Sequence, residues 1–219
     1  MVVRESFQTQ LDELREMLVE LGQLAENALE EAIDALKNQD VDKALRIIDN
    51  DYRINDLEEE INDKAILLIA KQAPVASDLR RIIVSIKISS DVERIADFAV
   101  NIAKSVIRIG KEELIKPLED IPALAETAKT MLTEAIQAYE DEDIVLAKKM
   151  ADKDDYVDEK YGELIQEILG MMKQYPDSTN QIIQLSFVCR YIERTADHAT
   201  NIAESIVYLV KGKHYDLNE

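Results

Sequence analysis

The feature that most constrains this 219-residue chain is that it repeats itself. The stretch Glu93-Arg94-Ile95-Ala96-Asp97-Phe98-Ala99-Val100-Asn101-Ile102-Ala103 returns 100 residues later as Glu193-Arg194-Thr195-Ala196-Asp197-His198-Ala199-Thr200-Asn201-Ile202-Ala203, with eight of eleven positions identical. A second correspondence, at an offset of about 103, pairs Asp51-x-x-Ile54-Asn55 with Asp154-x-x-Val157-Asp158. A proline follows each of these, Pro74 and Pro176. Self-similarity at a fixed spacing means that one supersecondary unit has been used twice.

The unit is helical. From Phe7 the apolar residues fall at Leu11, Leu14, Leu18, Leu21, Ala25, Ala28 and Ala32, alternating steps of four and three. That is a heptad seam, and Leu29, Ile33 and Leu36 widen it as bundle helices require. The first helix is expected to end near Lys37 and Asn38. A second runs from about Asp40 to Lys71, where Pro74 stops it. A third, capped by Ser77 or Asp78, reaches Ile109 and stops at Gly110. Pro117 and Pro122 punctuate a connector. The pattern then restarts at about 121–139, 143–174 and 178–211, with Gly212 as the last stop. No segment alternates like a strand. The expected fold is all-α: six helices in two tandem three-helix bundles, residues 1–112 and 113–219, related by internal duplication.

Charge narrows the partners. The chain carries 45 Asp and Glu against 26 Lys and Arg, a formal net charge of −19. A polyanion with no separate basic patch is repelled by nucleic acid and by bare anionic lipid; cations and basic protein surfaces are its natural counterparts. No apolar run approaches the ~20 residues of a membrane span. The first residues lead into a helix without a signal peptide, so a cytoplasmic protein with no membrane insertion is expected. The lone Cys189 lies in an apolar helical stretch, as a core residue would.

The acids fall on defined helix faces. At ~100° per residue, Glu193, Asp197, Asn201 and Glu204 share about a quarter turn bordering the apolar face. On the third helix the stripe is Glu93, Asp97 and Asn101, with Lys104 where the second copy has Glu204. On the second helix Asp51, Asn55, Glu58 and Asn62 share a face; on the fifth, Asp154 and Asp158 do. Folding each hairpin about its proline brings Asp51 level with Asp97, Asn55 with Glu93, Asp154 with Asp197 and Asp158 with Glu193. Each half would then carry one acidic patch built from two helices ~8–10 Å apart. Grouped carboxylates are costly without a cation, and an oxygen-rich set suits a hard metal ion. The structural alternative is a solvated face paired with arginines such as Arg94 and Arg194.

Taken together, the doubled Glu-Arg-x-Ala-Asp stretch, the Asp-x-x-x-Asn/Asp motifs and the three-plus-three order resemble the PhoU family of phosphate-specific transport accessory proteins over nearly the whole chain. The resemblance implies metal on both patches, iron or zinc foremost, with magnesium or manganese also considered. The residues it designates are Asp51, Glu93 and Asp97 in the first half and Asp154, Asp158, Glu193 and Asp197 in the second; Asn55, Asn101, Asn201 and Glu204 complete the stripes. It also implies a homodimeric regulator of phosphate uptake and the phosphate-starvation response. Such a regulator contacts a phosphate-sensing histidine kinase and the ATP-binding subunit of the phosphate ABC transporter, and those partners would bring it to the inner face of the membrane. Asn55 and Lys104 reduce the charge of the first patch, so the second is expected to hold metal more strongly.

Two other readings compete. A metal-free acidic adaptor would dock a basic partner through the same stripes. A carboxylate-bridged di-metal enzyme would need Glu-x-x-His motifs on two helices; the two histidines, His198 and His214, lack them. No glycine-rich phosphate loop and no nucleophile within a plausible triad accompanies the acids, so no catalytic residue is expected. His198, rotated ~100° from Asp197, is expected to pack or to line the edge of the patch.

Overall fold

The computed structural model describes residues 2–116 and 118–217; Pro117, one of the two connector prolines, lies outside the described residues. Eight α-helices and two short 3-10 turns make up the regular structure among the described residues. They are α1 (Val2–Asn38), α2 (Val41–Asn50), α3 (Tyr52–Gln72), α4 (Ala76–Ile109), α5 (Asp120–Asp141), α6 (Ile144–Lys148), α7 (Met150–Gly170) and α8 (Thr179–Lys211).

The six-helix plan stands, with one refinement in each half. The expected second helix bends at Asp51 into α2 and α3, and the expected fifth bends at Lys149 into α6 and α7. Both hinge residues keep right-handed helical dihedrals, Asp51 at φ −57° and Lys149 at φ −73°. At each joint the helix is interrupted for one residue while the backbone stays right-handed. At the far end the fifth helix stops at Gly170, four residues before Gln174, and gives way to 3-10 turns at Met171–Lys173 and Pro176–Ser178. The third helix starts at Ala76 without a side-chain cap from Ser77 or Asp78.

Local chemistry repeats with the fold. Gln39 and Glu142 both take left-handed dihedrals, with φ of 50° and 52°. The next residues, Asp40 and Asp143, return backbone hydrogen bonds to Ala35 and Ala138, both at 2.9 Å. Each aspartate then caps the following helix, Asp40 accepting from the Lys43 N–H and Asp143 from those of Val145 and Leu146. A side-chain oxygen at this position satisfies amides that the helix cannot.

The α1 seam is buried at Leu11, Leu14, Leu18, Leu21 and Ala25, then shifts to Leu29, Ala32 and Leu36. That drift is expected of a straight helix, whose 3.6-residue turn outruns a 3.5-residue repeat.

The two halves meet through α4 and α8, which run antiparallel. Arg80 donates to the Leu209 carbonyl, His198 meets Asp91, Phe98 stacks on Tyr191, and Asn180 donates to the Arg108 carbonyl. The pair Asp91–His198 and the pair Tyr191–Phe98 are exchanged by the repeat, so a local two-fold axis passes between the helices near Arg94 and Arg194. Helices α1 and α5 cross in the same antiparallel sense, tied by Lys129 and Glu30 at 3.2 Å. One continuous apolar core runs through both halves. The α3–α4 and α7–α8 hairpins lie either side of it and carry the acids. Among the described residues no helix is long and apolar enough to cross a membrane.

Candidate metal centre

In the second half, α8 supplies Glu193 and Asp197, one turn apart, and α7 supplies Asp158. Their carboxylate oxygens come together so that one from each lies within 4.8 Å of the other two. Among the described residues this is the group of three that could hold one ion. The cause is local. Residues four apart on a helix stack on one face, and Ile192, Ala196 and Ala199 hold the adjacent face of α8 in the core.

Glu193 is the central member. It is only 8% exposed. Its Oε1 accepts from Arg190 Nη1 at 2.5 Å, while its buried Oε2 has no hydrogen-bond partner. Burial and then the Asp197 charge push its carboxyl up to about 7, against the pull of Arg190. Asp158 is also raised, by burial and then by Asp197 and Asp155. Asp197 pairs with Arg194 at 3.2 Å. Three carboxylates are thus held close, and one of them has a buried oxygen without a hydrogen-bond partner. A hard cation would answer it, so these residues fit a metal of that class.

The other second-half candidates lie elsewhere. Asp154 is buried on α7, one turn before Asp158. Asn201 is exposed one turn beyond Asp197. Glu204 accepts the Leu217 backbone N–H at 2.9 Å, so its carboxylate ties the C-terminal tail to α8. His198 turns away from the acids toward α4, where Nδ1 lies 2.8 Å from Asp91 and the ring packs on Phe98.

The first half repeats the arrangement with weaker convergence. Asp51, at the bend between α2 and α3, accepts from Asn55 at 3.2 Å. Burial raises its carboxyl; the Asn55 hydrogen bond and Lys104 oppose that, and Asp97 adds to it. Glu93 is raised by burial and then by Asp97, with Glu58 and Asp51 contributing. Asp97 pairs with Arg94 at 2.9 Å, and the same guanidinium lies 3.6 Å from Glu93. Asn101 is half-buried a turn beyond. Glu58, outside the expected ligand set although on the same helix face, joins the field around Glu93 while accepting from Asn62. Shared helix face was the signal that could have included it.

Cys189 is buried, and burial pushes its thiol up to about 12. It is a core residue, not a thiolate ligand or nucleophile.

Comparison with known proteins agrees with this architecture. The PhoU domain model matches residues 18–106 and again 121–206, once in each half. A phosphate-specific transport system accessory protein PhoU homolog of Clostridium acetobutylicum is 37% identical over 219 residues, covering 100% of both chains. The homolog of Aquifex aeolicus is 38% identical over 213 residues, covering 96% of each. Among solved structures, the phosphate transport system regulatory protein PhoU of Streptococcus pneumoniae superposes with a TM-score of 0.90 at 32% identity, covering 96% of this chain and 99% of that one. PhoU of Pseudomonas aeruginosa gives 0.91 at 31% identity, covering 94% and 100%. With the family model matched in both halves, a shared fold and full-length coverage, the chain belongs to the PhoU family.

Proposed function

We propose that this chain is a cytoplasmic regulator that restrains phosphate uptake and the phosphate-starvation response when phosphate is plentiful. The observation that carries this is end-to-end similarity to accessory proteins of phosphate-specific transport. Family membership makes it a regulator and not an enzyme. It works by protein contacts: with the ATP-binding subunit of the phosphate transporter, with a phosphate-sensing histidine kinase, and with a second copy of itself as a homodimer. Deleting the protein should raise a phosphate-starvation reporter in high phosphate. An unchanged reporter would remove this reading.

The acidic patches carry metal in this reading. Asp158, Glu193 and Asp197 hold the stronger site; Asp51, Glu93 and Asp97 hold the weaker one. The donors are all oxygen and His198 is engaged on Asp91. Iron, manganese or magnesium suits such a set better than zinc, which favours nitrogen and sulfur. When bound, the ion supplies positive charge that holds α7 to α8. The second reading, an acidic adaptor without metal, draws on the arginine that already pairs with each acidic stripe. Elemental analysis of protein purified without chelator separates the two. Glu193→Ala with Asp197→Ala should remove more metal than Glu93→Ala with Asp97→Ala. Equal losses would contradict the asymmetry, and no metal in the wild type would favour the adaptor.

A further inference from the structure

The duplication is broken at one place that neither the metal nor the regulatory reading uses. Where α1, α4 and α5 meet beside Leu209 of α8, a polar cavity of roughly 200 Å³ opens to solvent. Its floor is the buried Tyr139 hydroxyl, 2.8 Å from the Ser85 hydroxyl. Ser85 donates to the Arg81 carbonyl at 2.9 Å, so Tyr139 donates to Ser85 and keeps its own lone pairs for another donor. Arg15 and Arg81 line the cavity, and so do Asp12 and Glu142.

The equivalent junction in the other half is built differently. By the repeat, Gln181 stands for Arg81, Gln39 for Glu142, Leu185 for Ser85 and Leu36 for Tyr139. There the inter-repeat connector is fastened down by neutral amides. Gln181 accepts from the Ile115 N–H at 2.7 Å and donates to the Glu113 carbonyl, while Gln39 donates to the carbonyls of Gly110 and Glu112. Leu114, Ile115 and Leu118 pack on the core. At the open end the same positions carry opposite charges, and Arg81 reaches Glu142 at 2.9 Å. Arg15 is held loosely, 3.4 Å from the Glu140 carbonyl and 3.9 Å from Asp12. Its guanidinium is therefore free to turn to a ligand at little cost.

The lining holds two guanidiniums, two carboxylates, the Ser85 hydroxyl, the Gln8 amide, which donates to Asp12 at 3.0 Å, and a phenolic oxygen with acceptor capacity. A bare anion would meet Asp12 and Glu142, and a bare cation would meet the arginines. A molecule carrying both charges matches the set, because each end finds an opposite charge and its donors find Tyr139. We propose that this cavity binds a small zwitterion of the α-amino-acid class, its carboxylate on Arg15 and Arg81 and its ammonium on Glu142 and Asp12. Bound there, it would bridge α1 and α4 of the first half to α5 of the second, since Arg15 and Arg81 come from one repeat and Tyr139 and Glu142 from the other.

The test uses the full-length chain in chelator, so that it does not depend on the metal reading. L-serine and L-alanine would be titrated by calorimetry and by ¹⁵N NMR, beside propionate, ethylamine and inorganic phosphate. The zwitterions should bind saturably and shift the amides around Arg81 and Tyr139. Propionate and ethylamine should bind about tenfold more weakly or worse, since each leaves one pair of charges unanswered. Arg15→Gln changes a side chain that is 47% exposed; the fold should survive and serine binding should fall by about tenfold. The proposal is overturned if no zwitterion binds, if phosphate or propionate binds as tightly as serine, or if Arg15→Gln binds serine unchanged.

Discussion

Glu193 and Glu93 occupy the same place in the repeat, yet their surroundings differ. Both are raised by burial and by the next aspartate, but Glu193 is the more deeply buried and has an oxygen without a partner. The consequence is a pH dependence of stability in metal-free protein. Below pH about 4.5 Glu193 is protonated in both folded and unfolded chains. Between that value and about 7 the unfolded chain ionises first, binds fewer protons, and folding stability falls. Above about 7 both forms are charged and the loss is complete, on the order of 3 kcal/mol as an upper figure. Asp158, Glu93 and Asp51 are shifted the same way and add to the fall. Urea denaturation in chelator should therefore show lower stability at pH 8 than at pH 5. Glu193→Gln should recover about 2 kcal/mol at pH 8, flatten the profile and weaken metal uptake. A variant with the wild-type slope would place the pH dependence elsewhere. The convergence of Asp158, Glu193 and Asp197 was legible in the sequence, because helix geometry and the hairpin turn fix which carboxylates share a level. That His198 packs was legible too, but the partner it meets and the fate of Glu204 were not. One is decided by Asp91 on α4 and the other by the Leu217 amide, long-range contacts with no local signal.

The helices themselves were largely legible, since heptad spacing and stop residues follow from backbone chemistry. The bends at Asp51 and Lys149 were not, because dihedrals that stay within the right-handed region leave the apolar periodicity intact. Nor does the α1 seam disclose its partner. Gly22 sits inside that seam, and a Cβ there would lie 2.7 Å from Ile136 Cγ1 on α5. The glycine is the hollow into which Ile136 fits. Gly22→Ala should gain about 1 kcal/mol of helix propensity yet lose more than that to overpacking, typically 1–3 kcal/mol, leaving a net destabilisation. Ile136→Val in the same chain should restore part of it. Thermal and urea denaturation of the two variants would decide. A stabilised Gly22→Ala chain would mean that α1 and α5 part easily at this level.

Duplication suggests two bundles, but the buried residues of α4 and α8 describe something tighter. On α4 the buried positions include Ile82, Val84, Ile88, Val92, Ile95, Ala99, Ile102 and Val106, more of the circumference than the stripe a helix needs against one neighbour. On α8 they include Ile182, Leu185, Val188, Ile192, Ala196, Ala199, Ala203 and Val207, equally wide. The sequence shows these apolar residues but not the division of labour among them, because a face that meets its own half and a face that meets the other copy use the same residue types. Each central helix serves its own half and the other copy at once, and the α1–α5 crossing joins the halves a second time. A chain cut in the connector would leave one wide apolar face of α4 bare in one fragment and of α8 in the other. Residues 1–112 alone should therefore keep helical content while losing fixed tertiary packing and associating through that face. Mixing them with 113–219 should restore a dispersed ¹⁵N NMR spectrum and a single cooperative melt. If 1–112 is instead monomeric, well dispersed and cooperatively folded alone, the core is divisible, and the α4–α8 contact is a docking between finished domains and not the centre of one.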